Sequence, residues 1–219
     1  MTSSQEISIS QVEDVARLIY EKGEAGHGWS HIQRVRSFAQ QIGRVEKADL
    51  FVVDLAALLH DIDDWKFNNG DFDASSRNAR QIMSECGIEL CVINQVCDII
   101  DHVSYRGALV DTSMPAIEGQ VVQDADRLDS LGAIGIARTF AYGGHTNRPL
   151  YDAKIPPKLH QTAEEYKEGG KTSINHFYEK LLLVKDRLNT RAAQRLAAER
   201  HRFTQSFVDR FLKEWTGEV

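Results

Sequence analysis

Several features are missing from this chain, and each absence removes a class of function. No stretch approaches the roughly 18 apolar residues of a membrane span, and Met1 to Ile9 is polar with no apolar core of a secretion signal. The expectation is a protein of the cytoplasm that neither crosses a membrane nor is exported. Cysteine is scarce. Cys86, Cys91 and Cys97 are odd in number and lack CxxC spacing, so they read as buried small apolar residues in a reducing compartment. Positive charge is also short: 26 Lys and Arg stand against 32 Asp and Glu, a net charge of −6. That argues against binding along a nucleic-acid duplex, while leaving room for a local basic pocket that takes a small anion. There is no P-loop, GxSxG or GxGxxG, which disfavours a glycine-loop phosphate cradle and serine-hydrolase chemistry. Alternating strand patterns, internal repeats and low-complexity runs are almost wholly lacking.

What is present is helical periodicity over 219 residues, enough to bury a sizeable core. Ser10 reads as the cap of a first helix carrying Val12, Ala16, Ile19 and Tyr20, and Ser30 as the cap of a second that stops at Gly43. The third helix, about Lys47 to His60, is apolar over most of its circumference and should be the buried central one. A loop over 62–73 contains the turn signal Asn68-Asn69-Gly70. Asp73 or Ser75 then caps a helix that runs to about Cys86 and ends at Gly87. Ile88 to Asp101 is another helix, 104–115 a loop, and Val121, Val122, Ala125 and Leu128 mark a helix bearing three acids. Gly132 to Tyr142 is helical. The stretch 143–171 holds three of the four prolines and reads as a lid, binding loop or insert. Helices over Ile174 to Leu188 and from Thr190 to Trp215 finish the chain. The expected fold is all-α, one domain over 1–219 of roughly eight to ten helices. Its divisions are a metal-binding core at about 25–140, the insert, and C-terminal helices at about 174–216.

The chain's chemistry concentrates where the third helix ends. Leu55-Ala56-Ala57-Leu58-Leu59 runs directly into His60-Asp61. Ending an apolar helix on titratable groups is costly unless something repays their desolvation, and a divalent cation does. Adjacent helical residues point about 100° apart, so His60 and Asp61 can share an ion lying between their directions. The full set of candidate ligands is His31, His60, Asp61 and one acid of Asp124, Asp126 and Asp129. Asp124 lies on the opposite side of its helix from Asp126, whereas Asp129 shares the face of Asp126. Taken singly, Asp124 and Asp129 read as a solvated helix face.

This pattern resembles the HD superfamily of metal-dependent phosphohydrolases, whose H…HD…D series would be His31, His60-Asp61 and Asp126. The flanks are similar too: His27-Gly28-Trp29-Ser30-His31, Ala56-Ala57-Leu58-Leu59-His60-Asp61, Val122-Gln123-Asp124-Ala125-Asp126-Arg127-Leu128, Leu131 to Arg138 and His176 to Leu182 look like the small stand-alone bacterial HD hydrolases. The resemblance implies that Asp126 is the fourth ligand, with Asp129 behind it. Two imidazoles and two carboxylates without thiolate suit Mn²⁺, Mg²⁺, Fe²⁺, Ni²⁺ or Co²⁺ better than a closed structural zinc site. Asp64, at the offset where some relatives carry an acid that positions or deprotonates the attacking water, is the candidate general base. Lys66, Arg106 and Arg127 are candidate phosphate clamps, since phosphoryl transfer needs neutralising charge. His27, just outside the second helix, and His102, at the end of an apolar one, are further candidates for metal or phosphate.

What the resemblance implies is a phosphohydrolase acting on a small phosphorylated metabolite, a nucleotide foremost. Cleavage of nucleoside triphosphates to monophosphate and pyrophosphate comes first. Nucleoside monophosphatase action and cleavage of cyclic or alarmone nucleotides follow, and a non-enzymatic HD-type ligand-sensing module is the competing class. A homodimer is left open.

Overall fold

In a computed structural model of the chain, residues 1–21, 28–62, 74–104, 108–159, 162, 165 and 171–218 are described. Thr2, rather than Ser10, starts the first helix. Its side chain accepts from the Gln5 backbone while the Gln5 side chain accepts from the Thr2 N–H at 2.8 Å, a capping box that Ser10, in the helix interior, does not form. Helix α1 (Ser3–Tyr20) buries Ile9, Val12, Ala16 and Tyr20 along one face.

Helix α2 (Trp29–Glu46) follows an extended Gly28 with no side-chain cap, so Ser30 lies inside its first turn. Gly43 does not end it. A Cβ at Gly43 would come within 2.9 Å of Leu50 Cδ2, so the glycine serves close packing, and the helix continues until Lys47 turns left-handed at φ 60°. Asp49 then caps α3 (Leu50–Leu59) by accepting from the Phe51 N–H at 2.9 Å. Every residue from Phe51 to Leu59 is buried, including Asp54. Helices α4 (Ala74–Glu85) and α5 (Leu90–Val103) pack on each other across a turn at Gly87, whose φ of 70° suits glycine. Helix α6 (Ile117–Asp129) completes this part. The cysteines differ from expectation: Cys97 is buried, Cys86 is half-buried and Cys91 is exposed. Cys91 falls off the inward face of α5, which carries Ile93, Val96, Cys97, Ile100 and Val103.

After α6 come α7 (Gly132–His145), α8 (Ser173–Glu179), a 3-10 segment (Leu181–Arg187) and α9 (Arg191–Thr216). The helix expected over 174–188 breaks at Lys180, whose φ of −140° leaves the helical region. Thr190 caps α9 by accepting from the Ala193 N–H. Ile174, Phe177, Leu181 and Val208 form a core over which Phe140, Phe207 and Phe211 close. Part of the proline-rich insert is strapped to α8: the carbonyls of Pro149 and Leu150 accept from the Ser173 and Ile174 N–H groups, Ile155 from the Asn175 side chain, and Glu179 takes the Lys158 N–H.

Among the described residues the chain is thus nine α-helices and one 3-10 segment, with no strand. No described helix is long and apolar enough to cross a membrane. Two compact units result. One is 1–105 with 112–126; the other is 106–111 with 127–219.

Candidate metal centre

Three elements of the first unit deliver four polar side chains to one point. His31 occupies the first turn of α2 and is 1% exposed. His60 is the C-cap of α3, buried like the helix it ends, and Asp61 follows in the turn. Asp126 projects from α6.

The nitrogen His31 Nε2 stands 3.4 Å from Asp61 Oδ2 and 3.5 Å from Asp126 Oδ1. His60 Nε2 stands 3.8 Å and 3.9 Å from the same two oxygens. The two rings meet edge-on, their centroids 5.4 Å apart at 65°. One ligand atom from each of His31, His60 and Asp126 lies within 4.8 Å of the others. Ligands held about 2.1 Å from one ion stand about 3.0 Å apart at right angles, about 3.4 Å at the tetrahedral angle and about 4.2 Å when opposite. The four imidazole–carboxylate separations fall within that range.

His60 shows why the atoms suit a cation. Its Nδ1 lies 2.9 Å from the Ala57 carbonyl oxygen, which can only accept, so Nδ1 carries a proton and, in the neutral ring that binds a metal, Nε2 holds the lone pair. That Nε2 is buried and makes no hydrogen bond among the described residues. A buried lone pair aimed at two carboxylates is costly by itself; an ion between them satisfies all four groups at once. Asp126 is the most open member, 27% exposed against 9% for Asp61, so solvent reaches the centre on its side.

The other candidates fall in different places. His102 has a half-exposed side chain whose Nδ1 donates to the Asp98 carbonyl at 2.8 Å, and its own carbonyl accepts from Gln123. Arg127 is 5% exposed and donates to the Arg187 carbonyl. Asp129 accepts from Arg138 Nη1 at 2.7 Å. Asp124 and Asp129 are both fully buried rather than solvated, because α6 has no water-facing side where they project. His27, Asp64, Lys66 and Arg106 lie outside the described residues.

A polar group went unnoticed in the sequence. Asp54, 2% exposed in the middle of α3, receives both Nε and Nη2 of Arg36 from α2 at 2.7 and 2.9 Å. Burial would lower the Arg36 pKa, but hydrogen bonds and charge from Asp54 and then Glu13 overcome it and push it above the ordinary value. A lone aspartate inside an otherwise apolar helix was the available signal.

An all-helical fold whose buried histidines and carboxylates converge in the order H…HD…D defines a metal-dependent hydrolase of the HD superfamily, and the chain belongs to that family: the HD domain model matches residues 28–131. YpgQ of Bacillus subtilis (strain 168), an uncharacterized protein, is 37% identical over 198 residues, covering 88% of this chain and 86% of YpgQ. Among solved structures, a protein of Lactobacillus plantarum is 36% identical with a TM-score of 0.87, covering 99% of both chains. An HD-superfamily hydrolase of Bacillus thuringiensis is 39% identical with a TM-score of 0.74, covering 97% of this chain and 98% of that one. YpgQ, solved in complex with ADP, superposes with a TM-score of 0.70 at 32% identity, over 94% of this chain and 96% of its own.

Proposed function

We propose that this protein is a cytoplasmic phosphohydrolase acting on a nucleotide, with cleavage of nucleoside triphosphates to monophosphate and pyrophosphate as the first choice of reaction. The observation that carries the reading is the convergence of His31 Nε2, His60 Nε2, Asp61 Oδ2 and Asp126 Oδ1 within 3.4 to 3.9 Å across the imidazole–carboxylate pairs. The ADP complex of the similar protein YpgQ supports a nucleotide as ligand.

The two carboxylates offset the charge of a divalent ion, leaving a centre near neutrality to which an anionic phosphate can approach. A divalent ion held there supplies Lewis-acid charge for a phosphoryl oxygen and lowers the pKa of water towards neutrality. With no thiolate in the set, Mn²⁺, Mg²⁺, Fe²⁺, Co²⁺ and Ni²⁺ are the candidates. The chain's own part is positional: the Ala57 carbonyl fixes the His60 tautomer, and burial keeps the His31 and His60 rings from competing water. Asp64 is assigned as general base for the attacking water, and Lys66, Arg106, His27 and His102 as phosphate contacts, from their places in the sequence.

The test is a nucleotide panel incubated with the purified protein and Mn²⁺, Mg²⁺, Co²⁺ or Ni²⁺, with pyrophosphate and orthophosphate measured separately. Pyrophosphate release from triphosphates, lost in His60→Ala and Asp61→Ala, is the expected result. Orthophosphate from monophosphates alone, or opening of cyclic or alarmone nucleotides alone, would replace the reaction; no turnover with any metal would refute the reading.

A further inference from the structure

Helices α2 and α3 form an antiparallel pair joined by the short turn 47–49. His31 lies at the start of one and His60 at the end of the other, so the distance between their imidazoles depends on how far α3 has slid along α2. Much of the surface between the helices is apolar; Gly43, for example, packs against Leu50 and Val53. Apolar contacts are non-directional and tolerate small slips. A bound ion is far less tolerant. Ligand distances must hold to within about 0.2 Å, while one residue of slide displaces a side chain by about 1.5 Å.

The contacts that Asp54 of α3 makes with α2 are directional. Arg36 meets Asp54 with both prongs, Nε on Oδ1 at 2.7 Å and Nη2 on Oδ2 at 2.9 Å. Gln40, one turn further along α2, donates to Oδ1 at 2.8 Å. Glu13 of α1 takes the remaining Arg36 Nη1 at 2.7 Å. A forked guanidinium on a carboxylate allows little sliding in either direction. The pairing of residue 36 with 54 continues the register in which 31 meets 60, about 7.5 Å along α2 and about 9 Å along α3 from the two histidines. Stability alone does not explain such a pair, since apolar residues of similar volume commonly serve a buried interface as well or better.

We infer that Arg36 and Asp54 are positioning residues that fix the slide of α3 along α2, and thereby the separation of His31 from His60 and Asp61 on which cation affinity depends. The inference rests on the metal-centre reading above.

The test is a Co²⁺ titration followed by its visible absorption, run beside thermal unfolding, on the wild type and three variants. The double variant Arg36→Met with Asp54→Leu removes both charges. It is expected to stay folded with a similar or higher midpoint, yet to bind Co²⁺ about 10-fold more weakly with an altered band. Asp54→Asn, which keeps the shape but breaks the fork, is expected to lose affinity in the same direction and supplies the result should the double variant not fold. Glu13→Gln removes a network charge that does not bridge α2 and α3, and its Co²⁺ affinity should match the wild type. Wild-type affinity and spectrum in the double variant, or in Asp54→Asn where only that variant folds, would overturn the positioning role. An equal loss in Glu13→Gln would overturn it too, as a general effect of network charge. Absence of Co²⁺ binding by the wild type would instead sink the metal centre itself.

Discussion

His31 Nε2 stands 3.4 Å from Asp61 Oδ2, although one belongs to the first turn of α2 and the other to the turn that follows α3. The same nitrogen is 3.5 Å from Asp126 Oδ1. Two carboxylates gathered around one buried imidazole repel each other unless positive charge lies among them. Replacing Asp126 with Asn keeps the volume and removes one of the charges. Cation affinity should fall by about 100-fold or more, exceeding the usual cost of losing a supporting contact. Metal content by mass spectrometry after dialysis against dilute Mn²⁺ measures it.

An ion that binds the folded chain and not the unfolded one adds stability by mass action. At a concentration 100 times the dissociation constant the gain is about 2.7 kcal/mol. Stripping the protein with a chelator should therefore lower its thermal midpoint by several degrees, and added Mn²⁺ should restore it. In the His60→Ala variant neither treatment should move the midpoint.

The Arg36–Asp54 pair also makes a prediction for stability. Asp54 is 2% exposed and takes two hydrogen bonds from Arg36. Arg36→Met removes that carboxylate's countercharge and leaves it the Gln40 hydrogen bond, a loss of about 3–5 kcal/mol. Urea denaturation should show this for the single variant and a much smaller change for Arg36→Met combined with Asp54→Leu.

His201 on α9 sets a pH dependence in the second unit. Burial, and then Lys185, push its imidazole below the ordinary range, with Asp186 acting weakly the other way. Below about pH 6.5 the unfolded chain takes up a proton that the folded chain resists. The unfolded state then binds more protons, so acid destabilises the fold from that point down through the lowered folded value. His201→Gln should lose less stability than the wild type between pH 7.5 and pH 5.5, as followed by thermal unfolding.

Some of this molecule could be read from its sequence, and the reasons are local. The run Leu50 to Leu59 announced a buried helix because it is apolar over most of its circumference, and the His-Asp pair at its end pointed to a cation, one way to offset such desolvation, when taken together with His31 and Asp126. Helix starts were harder. Ser10 and Ser30 have the chemistry of caps, but Thr2 has a glutamine three residues on with which to close a box, and Gly28 precedes α2 in extended form. Gly43 looked like a stop and is a packing glycine, a distinction that depends on Leu50 reaching it from the next helix. Asp124 and Asp129 looked solvated because periodicity shows which residues share a face and not which faces are covered. The Arg36–Asp54 clamp was half legible: an aspartate inside an apolar helix stands out in the sequence, but its partner Arg36 is evident only when α2 and α3 are set side by side.

The most direct measurement is an anomalous difference map from crystals of the protein grown or soaked with Mn²⁺. The account predicts a single strong peak at about 2.0–2.3 Å from His31 Nε2, His60 Nε2, Asp61 Oδ2 and Asp126 Oδ1. A map with no peak among those four atoms, or with the ion held elsewhere, would contradict it.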